Sequence, residues 1–443
     1  MSRIEEMIRE LCPNGVEYKA LGDIVEILDS QRRPVAKGKR SAGKYPYYGA
    51  NGVQDYVEDY IFDGTFLLVG EDGSVINKDK TPVLNWAVGK IWVNNHAHCI
   101  DSTDKLILEY LCLYINAISL EKYVTGSAQP KMTQDNMNSI LIALPPYEEQ
   151  KRLEFQVNHI LKTVSTIENE KEDIVNYIIS AKSKILDLAI RGKLVPQDSN
   201  DEPASVLLER IRAEKEELIK AGKIKRDKKE SIIFKGDDNS YYEKINGEVF
   251  CINEEIPYDI PDTWTWMRLE NCCIKEIRRG KSPKYTVNST VLVFAQKCNT
   301  KYNGIDVSLA QYLDETTLKH YPSDEYMQDG DVVINSTGTG TLGRVGIYRY
   351  TDNTTCLSIV PDSHVTVIRS FSCISSHYLY AFMKAHQSEL EKKGEGSTNQ
   401  KELKPLTLKE MLIAVPPLSE QEHIENAICT AFSRFAVIEE SLN

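Results

Sequence analysis

The string Leu144-Pro145-Pro146-Tyr147-Glu148-Glu149-Gln150 returns as Val415-Pro416-Pro417-Leu418-Ser419-Glu420-Gln421, 416 − 145 = 271 residues later. Each copy opens a run in which apolar residues alternate steps of four and three: Leu153, Val157, Ile160, Val164 and Ile167, then Ile424, Ile428, Ala431, Phe435 and Ile438. Steps of that kind are the seam of a coiled coil. Upstream, Gly126-Ser127-Ala128-Gln129 precedes the first Pro-Pro much as Gly396-Ser397-Thr398-Asn399-Gln400 precedes the second. A duplication of this extent calls for two similar globular units, each ending in a helix.

A chain of 443 residues exceeds what one core usually supports, which fits the two-unit reading. The ten cysteines form no paired C-x-x-C pattern with zinc-ligand spacing, and Cys272 and Cys273 are adjacent. They read as reduced, mostly buried thiols of a cytoplasmic protein. The charged start Met1-Ser2-Arg3-Ile4-Glu5-Glu6 has no apolar signal core, and no apolar run has membrane-spanning length. No membrane partner is expected. A net charge of −12 argues against a uniformly basic nucleic-acid coat, so any such contact must come from local basic surfaces.

Short β-type runs such as Thr65-Phe66-Leu67-Leu68-Val69 lie between turn-rich stretches of Gly, Asn and Asp, which predicts an α+β fold. The first unit is expected to occupy residues 1–146. A long helix should follow from about Glu148 to Arg191, its seam continuing through Ile174, Ile178, Ala181, Ile185 and Leu188 to a stop at Gly192. At 1.5 Å per residue the seam is roughly 50 Å long, enough for a strut. A second helix should start at Pro203 and end near Gly222, placing proline inside the start and glycine past the end. Both helices fall in residues 147–222. Residues 223–255, opening on the basic run Lys223-Ile224-Lys225-Arg226-Asp227-Lys228-Lys229, are expected to be a linker. The second unit is assigned to 256–417 and a C-terminal helix to 418–443, where Ser419-Glu420-Gln421-Glu422 has the capping-box pattern.

Two catalytic signatures are almost present. Pro145-Pro146-Tyr147 is similar to the Asp/Asn-Pro-Pro-Tyr motif of amino-methyltransferases, but Leu144 and Val415 stand where a hydrogen-bond acceptor is needed. Gly338-Thr339-Gly340-Thr341-Leu342-Gly343 fits G-x-G-x-x-G after the apolar run Val332-Val333-Ile334. A phosphate-binding loop requires a helix next, whereas Arg344-Val345-Gly346-Ile347 alternates like a strand. A β-turn region is therefore expected. His96 and His98 could face the same way from a strand, but no third ligand is signalled and no metal site is assigned. No catalytic centre emerges.

Basic residues, in contrast, cluster at equivalent places. After Ile24 to Leu28 come Arg32, Arg33, Lys37, Lys39, Arg40 and Lys44, with Tyr45, Tyr47 and Tyr48 adjoining. After Ile274 and Ile277 come Arg278, Arg279, Lys281 and Lys284, with Tyr285. Such loops can hold phosphates and place an arginine against guanine. Before each Pro-Pro, Gln129 and Lys131 in one unit and Asn399, Gln400 and Lys401 in the other have side chains suited to base edges, and Arg344 joins this candidate DNA-binding set.

Taken together, these features resemble the specificity (S) subunit of type I restriction-modification enzymes. The resemblance rests on the paired Pro-Pro-x-x-Glu-Gln strings, on Ala189-Ile190-Arg191-Gly192-Lys193-Leu194-Val195-Pro196-Gln197, on Pro203-Ala204-Ser205-Val206-Leu207-Leu208, and on Tyr47-Tyr48-Gly49-Ala50-Asn51-Gly52 and Trp264-Thr265-Trp266-Met267-Arg268-Leu269. It implies two target-recognition domains joined by long antiparallel coiled-coil helices, with a pseudo-two-fold internal repeat. Each domain would read one half of a bipartite site in double-stranded DNA, and the helices would dock two methylation (M) subunits. Restriction (R) subunits would join them. S-adenosylmethionine, ATP and Mg would belong to those partners, with no cofactor on this chain. An adenine methyltransferase in its own right, or a coiled-coil assembly protein that does not bind DNA, remain the alternatives.

Overall fold

The computed structural model describes residues 6, 9–10, 12–71, 82–126, 131–224, 226, 231–301, 304–395 and 401–442. The chain divides into two compact units, Met1–Glu170 and Lys171–Asn443.

The first unit is built on a six-stranded sheet in the order Glu26–Ile27, Ala97–Asp101, Phe62–Gly70, Leu84–Val93, Ala42–Gly49, Gly52–Val57. Strand Phe62–Gly70 is apolar at successive positions because both faces are covered. Leu67, Val69, Leu84 and Ile100 meet Leu108, Leu111 and Ile115 of helix Lys105–Ala117, while Phe62, Phe66, Leu68, Ala87 and Ile91 form a second core. Asp104 caps that helix, its side chain accepting from the Leu106 N–H. Glu17–Ala20 pairs antiparallel with Leu141–Leu144, which leads into the long helix Tyr147–Ile190.

In the second unit, strands Thr265–Arg268 and Leu412–Val415 form the matching pair, and Leu412–Val415 leads into helix Leu418–Ser441. Val332–Asn335 lies between Val345–Ile347 and Val365–Ile368, and helix Ser376–Ala385 covers this sheet through Tyr378, Leu379 and Phe382. A four-stranded sheet in the order Tyr285–Thr286, Gln311–Leu313, Val291–Phe294, Ser358–Pro361 completes the head.

The duplication extends to single hydrogen bonds. The Tyr110 hydroxyl donates to the Ala143 carbonyl, and the Tyr378 hydroxyl to that of Ala414 at 2.6 Å. The Leu21 N–H reaches the Ile140 carbonyl at 2.9 Å, and the Leu269 N–H that of Met411 at 2.8 Å. Two successive prolines supply no N–H, so the strand-to-helix junction depends on a side chain for its hydrogen bonding. Gln150 folds back to donate to the Pro145 carbonyl at 2.9 Å and Gln421 to that of Pro416 at 3.1 Å; both glutamines are buried. That is why the string keeps its glutamine. The expected capping box does not form: helix Leu418–Ser441 starts after Pro417 with no side-chain cap, so Ser419 lies inside the first turn and not at the N-cap, while Glu420 is buried and accepts from the Trp264 indole at 2.7 Å.

Helix ends agree with the glycine signals, while Pro203 stands at the N-cap of helix Ala204–Lys220 and not inside its start. Gly192 and Gly222 have φ of 66° and 68°, and the N–H groups of Lys193 and Lys223 return to the carbonyls of Leu188 and Leu218. Residues 223–255 are not the expected linker. Ser231–Lys235, Tyr241–Ile245 and Glu248–Cys251 form a three-stranded antiparallel sheet, and Ile233 and Ile252 share a core with Leu207, Ile211 and Trp266. Polar surface residues hid its alternation.

Within the second unit, Ile424 and Ile428 join the core that holds Ala189 and Ile190, and Lys182 pairs with Glu439 at 2.8 Å. Along the seams, Leu153, Ile178 and Ile424 are buried and Val157, Ile428 and Phe435 partly so, but Ile160, Val164, Ile167, Ile174 and Ile438 are exposed. An apolar stripe therefore lies open on the long helix. Among the described residues, no helix is long and apolar enough to cross a membrane. All ten cysteines are free, and four of them, Cys12, Cys99, Cys272 and Cys298, are buried.

Replacing Tyr378 by phenylalanine leaves the Ala414 carbonyl unpaired in a dry site and is expected to lower the second unit's stability by about 1–2 kcal/mol. Tyr110→Phe should do the same to the first. Amide exchange on the full chain should show each loss confined to its own unit; a loss shared equally by both would contradict the division.

Candidate nucleic-acid interface

Arg32 follows a one-turn 3-10 helix, Asp29–Gln31, and turns inward. Its guanidinium meets Asp29 at 3.0 Å, Glu71 at 2.8 Å and the Ala97 carbonyl at 2.8 Å. With 11% of its side chain exposed, Arg32 cannot reach a duplex without breaking this network. Lys131 pairs with the same Glu71 at 3.1 Å but remains well exposed. Burial disfavours the Glu71 carboxylate, yet Arg32, Lys131 and His98 outweigh it and hold its pKa below the ordinary range.

Arg40 lies 4.0 Å over the Tyr47 ring and pairs with Asp55 at 3.2 Å. Tyr47 is a core residue, 1% exposed, with its hydroxyl at the Val35 N–H, and Tyr48 is half-buried. What stays outside is Arg33, Lys37, Lys39 and Lys44. Beside them the fold assembles a ladder: Lys44 lies 5.2 Å over Tyr45, Tyr45 packs 5.1 Å from Tyr60, and Lys90 lies 4.5 Å over Tyr60. Tyr60 and Lys90 were not singled out from the sequence, because only the sheet brings strand Leu84–Val93 beside Ala42–Gly49. Paired aromatic faces with a cation at each end suit bases and phosphates.

In the second unit the basic cluster is also largely committed inward. Glu325, 2% exposed, accepts from Lys275 at 3.1 Å, from Arg278, and pairs with Lys281 at 3.4 Å. Arg279 pairs with Glu402 at 2.8 Å, and Arg344 ties the Asn299 carbonyl at 2.8 Å to that of Gly340 at 3.1 Å. Lys284 pairs with Asp314 at 2.6 Å but is 67% exposed, and this pairing together with the Thr316 donors holds Asp314 down at about 2. Lys281, Lys284, Lys319, His320 and Tyr321 line one open groove. Lys401 is exposed, while Gln129, Asn399 and Gln400 lie outside the described residues. As expected from the sequence, the Gly-rich segment is a turn running into a strand, with φ of 101°, 76° and 76° at Gly338, Gly340 and Gly343.

Superimposing hydrogen bonds shows what occupies the same position in each head. The Met132 N–H reaches the Glu71 carbonyl at 2.8 Å and the Leu403 N–H that of Ser336 at 2.9 Å. The Glu71 N–H meets the His96 carbonyl and the Ser336 N–H that of His364. Met132 therefore corresponds to Leu403, and the counterpart of Lys131 is Glu402 rather than Lys401. By the same register Glu71 with His98 corresponds to Ser336 with Thr366. The first head holds this joint with charges; the second holds it with two hydroxyls 2.7 Å apart.

Asp29, Glu71 and His98 offer ligand atoms all within 4.8 Å of one another. Arg32 pairs with both carboxylates and Lys131 with Glu71, which ties the cluster into an ion-pair network.

A family model described as type I restriction modification DNA specificity domain matches residues 13–185 and 261–442. A Haemophilus influenzae chain named as a type I restriction enzyme specificity subunit is 37% identical over 138 residues, 31% of this chain and 35% of that one. The type I restriction enzyme EcoAI specificity subunit of Escherichia coli is 33% identical over 253 residues, 54% of this chain and 37% of its own length. The matches thus span 35% and 37% of these relatives' lengths. A solved chain from a structure concerned with complex assembly and conformational transition of the type I R-M system has a TM-score of 0.52 at 15% identity, over 97% of this chain and 93% of that one. That likeness is one of fold.

Proposed function

Because this chain belongs to the type I restriction-modification DNA specificity family, with one matched region in each unit, we propose that it reads a bipartite duplex, one half-site per head. One observation carries the reading: the same scaffold occurs twice, down to the Tyr–Ala and Gln–Pro bonds, yet presents different loops. Equal frames with unequal surfaces suit two recognition specificities on one ligand. Phosphate contact falls to Arg33, Lys37, Lys39, Lys44 and Lys90 in the first head, and to Lys284, Lys319 and Lys401 in the second. Arg32, Arg40, Arg278, Arg279, Lys281 and Arg344 shape the loops from within. The exposed stripe of Ile160, Val164, Ile167 and Ile174 gives methylation subunits an apolar surface to cover. Methyl transfer and cleavage, with S-adenosylmethionine, ATP and Mg, are assigned to those M and R partners.

The test uses the duplex sequence found by mapping methylated adenines in host DNA. Replacing Lys37, Lys39 and Lys44 together by alanine should remove footprint protection over one half-site, and replacing Lys284 and Lys319 should remove it over the other. Each lost phosphate contact should reduce the salt slope of binding by about 0.9. Were both variants to lose protection equally over both halves, the one-head-one-half division would be wrong.

A further inference from the structure

The loop between strands Val332–Asn335 and Val345–Ile347 holds the G-x-G-x-x-G string, and both its legs are anchored. The Gly343 N–H reaches the Asn335 carbonyl at 2.8 Å, the Leu342 N–H that of Gly338 at 3.0 Å, and the Thr341 hydroxyl lies 3.1 Å from the Thr337 carbonyl. Leu342 is buried in the core. Arg344 spans the base of the loop, donating to the Asn299 and Gly340 carbonyls, and the buried Asn299 and Asn335 are bonded to each other at 3.3 Å. Such a foot holds the tip in one place.

The tip itself has free donors. Thr339 and Gly340 are exposed, and among the described residues the N–H of neither meets an acceptor. Gly338 and Gly340 have φ of 101° and 76°, while Thr339 between them does not share the positive region, an alternation that turns successive N–H groups toward one point. A Cβ added to Gly340 would meet no described atom within 4 Å, so this side lies open. Donors held rigid in the open suit an anion that needs no rearrangement of the loop.

Charge around the tip favours a negative ligand. Lys401 is exposed at the start of the segment that bridges to Thr337 through Glu402, and the Arg344 guanidinium stands behind Gly340. The acids on that side are already paired, Glu402 with Arg279 at 2.8 Å and Glu395 with Lys404 at 2.6 Å. In the first head the residue equivalent to Glu402 is Lys131, whose side chain is 60% exposed. One joint presents an ammonium; its twin presents backbone donors.

Resting on the DNA reading above, we infer that the Thr339–Gly340 tip seats one backbone phosphate of the second half-site through its two N–H groups. Phosphate contacts of this kind fix register without reading sequence, and neutral donors release no counterion. The G-x-G-x-x-G string then serves DNA without binding a nucleotide.

The experiment footprints the full chain on its duplex over a range of salt, with heads assigned to half-sites by the lysine variants. Thr339→Glu puts a carboxylate at the tip and should weaken the second half-site about tenfold, leaving the first unchanged. Thr339→Lys should tighten the same half-site about threefold and steepen its salt slope by about 0.9, a gain that local unfolding cannot imitate. Thr355→Glu, exposed in the turn before strand Ser358–Pro361, should bind as wild type does. Duplexes carrying single methylphosphonates, each lacking one phosphate charge, locate the contact: at one position the change should weaken wild type about tenfold yet strengthen Thr339→Glu. Unchanged binding by both Thr339 variants, an equal loss in Thr355→Glu, or no phosphate whose neutralisation separates wild type from Thr339→Glu would each overturn the inference while leaving the DNA reading intact. Failure of the wild-type chain to bind any duplex would overturn both.

Discussion

Replacing Glu325 by alanine is expected to cost the second head about 3–5 kcal/mol, because it strands a buried cation. Lys275 is 5% exposed at its side chain, with its ammonium donating to Glu325 at 3.1 Å and to the Asp324 carbonyl at 2.7 Å. Burial lowers the pKa of Lys275, and Glu325 only partly offsets this. Without the carboxylate, Lys275 must shed its proton or draw water inward. Arg278 and Lys281 lose their shared partner in the same step. The DNA contact proposed for the second head should weaken with its stability, while that proposed for the first head is kept.

The same carboxylate dictates a pH limb. Burial alone would raise the Glu325 pKa, but Lys275, Arg278 and Lys281 outweigh it and hold it below the ordinary range. A group depressed on folding stabilises fully above its unfolded value, and the contribution is lost as pH falls through the folded one. The wild-type second head should therefore weaken in acid, below about pH 4, and Glu325→Ala should lack that part of the loss. Denaturant unfolding across pH, followed by amide exchange, measures both effects. A variant within 1 kcal/mol of wild type would mean that water solvates the three cations without Glu325.

Gly343→Ala is the second large effect, at about 2–4 kcal/mol. Gly343 has φ of +76°, and an added Cβ would stand 2.6 Å from the backbone nitrogen of Glu391 and 2.9 Å from the carbonyl carbon of Leu390 in helix Gln387–Lys392. Backbone cannot swing aside as a flexible side chain can. Gly340 supplies the control, since it has the same φ but nothing within 4 Å of its Cβ, and Gly340→Ala should cost only about 1–2 kcal/mol of backbone strain. Thermal unfolding of the two variants separates close packing from conformational freedom. Equal losses would mean that helix Gln387–Lys392 shifts easily. In either case the final glycine of the G-x-G-x-x-G string serves helix packing.

Much of the architecture could be read along the chain. The paired Pro-Pro strings, the seams after them and the stops at Gly192 and Gly222 are local patterns, and local patterns survive in one dimension. The capping box failed because Ser419-Glu420-Gln421-Glu422 looks complete by itself, while the helix begins one residue earlier, after Pro417, and leaves Ser419 inside its first turn. The basic clusters were visible as charge but not as commitments. Glu71 lies 39 residues from Arg32, and Glu325 lies 47 from Arg278. An arginine in a turn-rich segment carries no mark of whether its partner is a phosphate or a buried glutamate.

By itself the sequence determined that this chain is two copies of one unit with a helix after each, because periodicity, proline and glycine act on their near neighbours. Only the tertiary structure decided which cations remain outside, that Lys44, Tyr45, Tyr60 and Lys90 form one ladder, and that one joint is ionic where its twin is neutral. Those outcomes depend on strand pairing, which brings together residues far apart in the chain. There, burial and competition for a shared carboxylate select among partners that the sequence leaves equivalent.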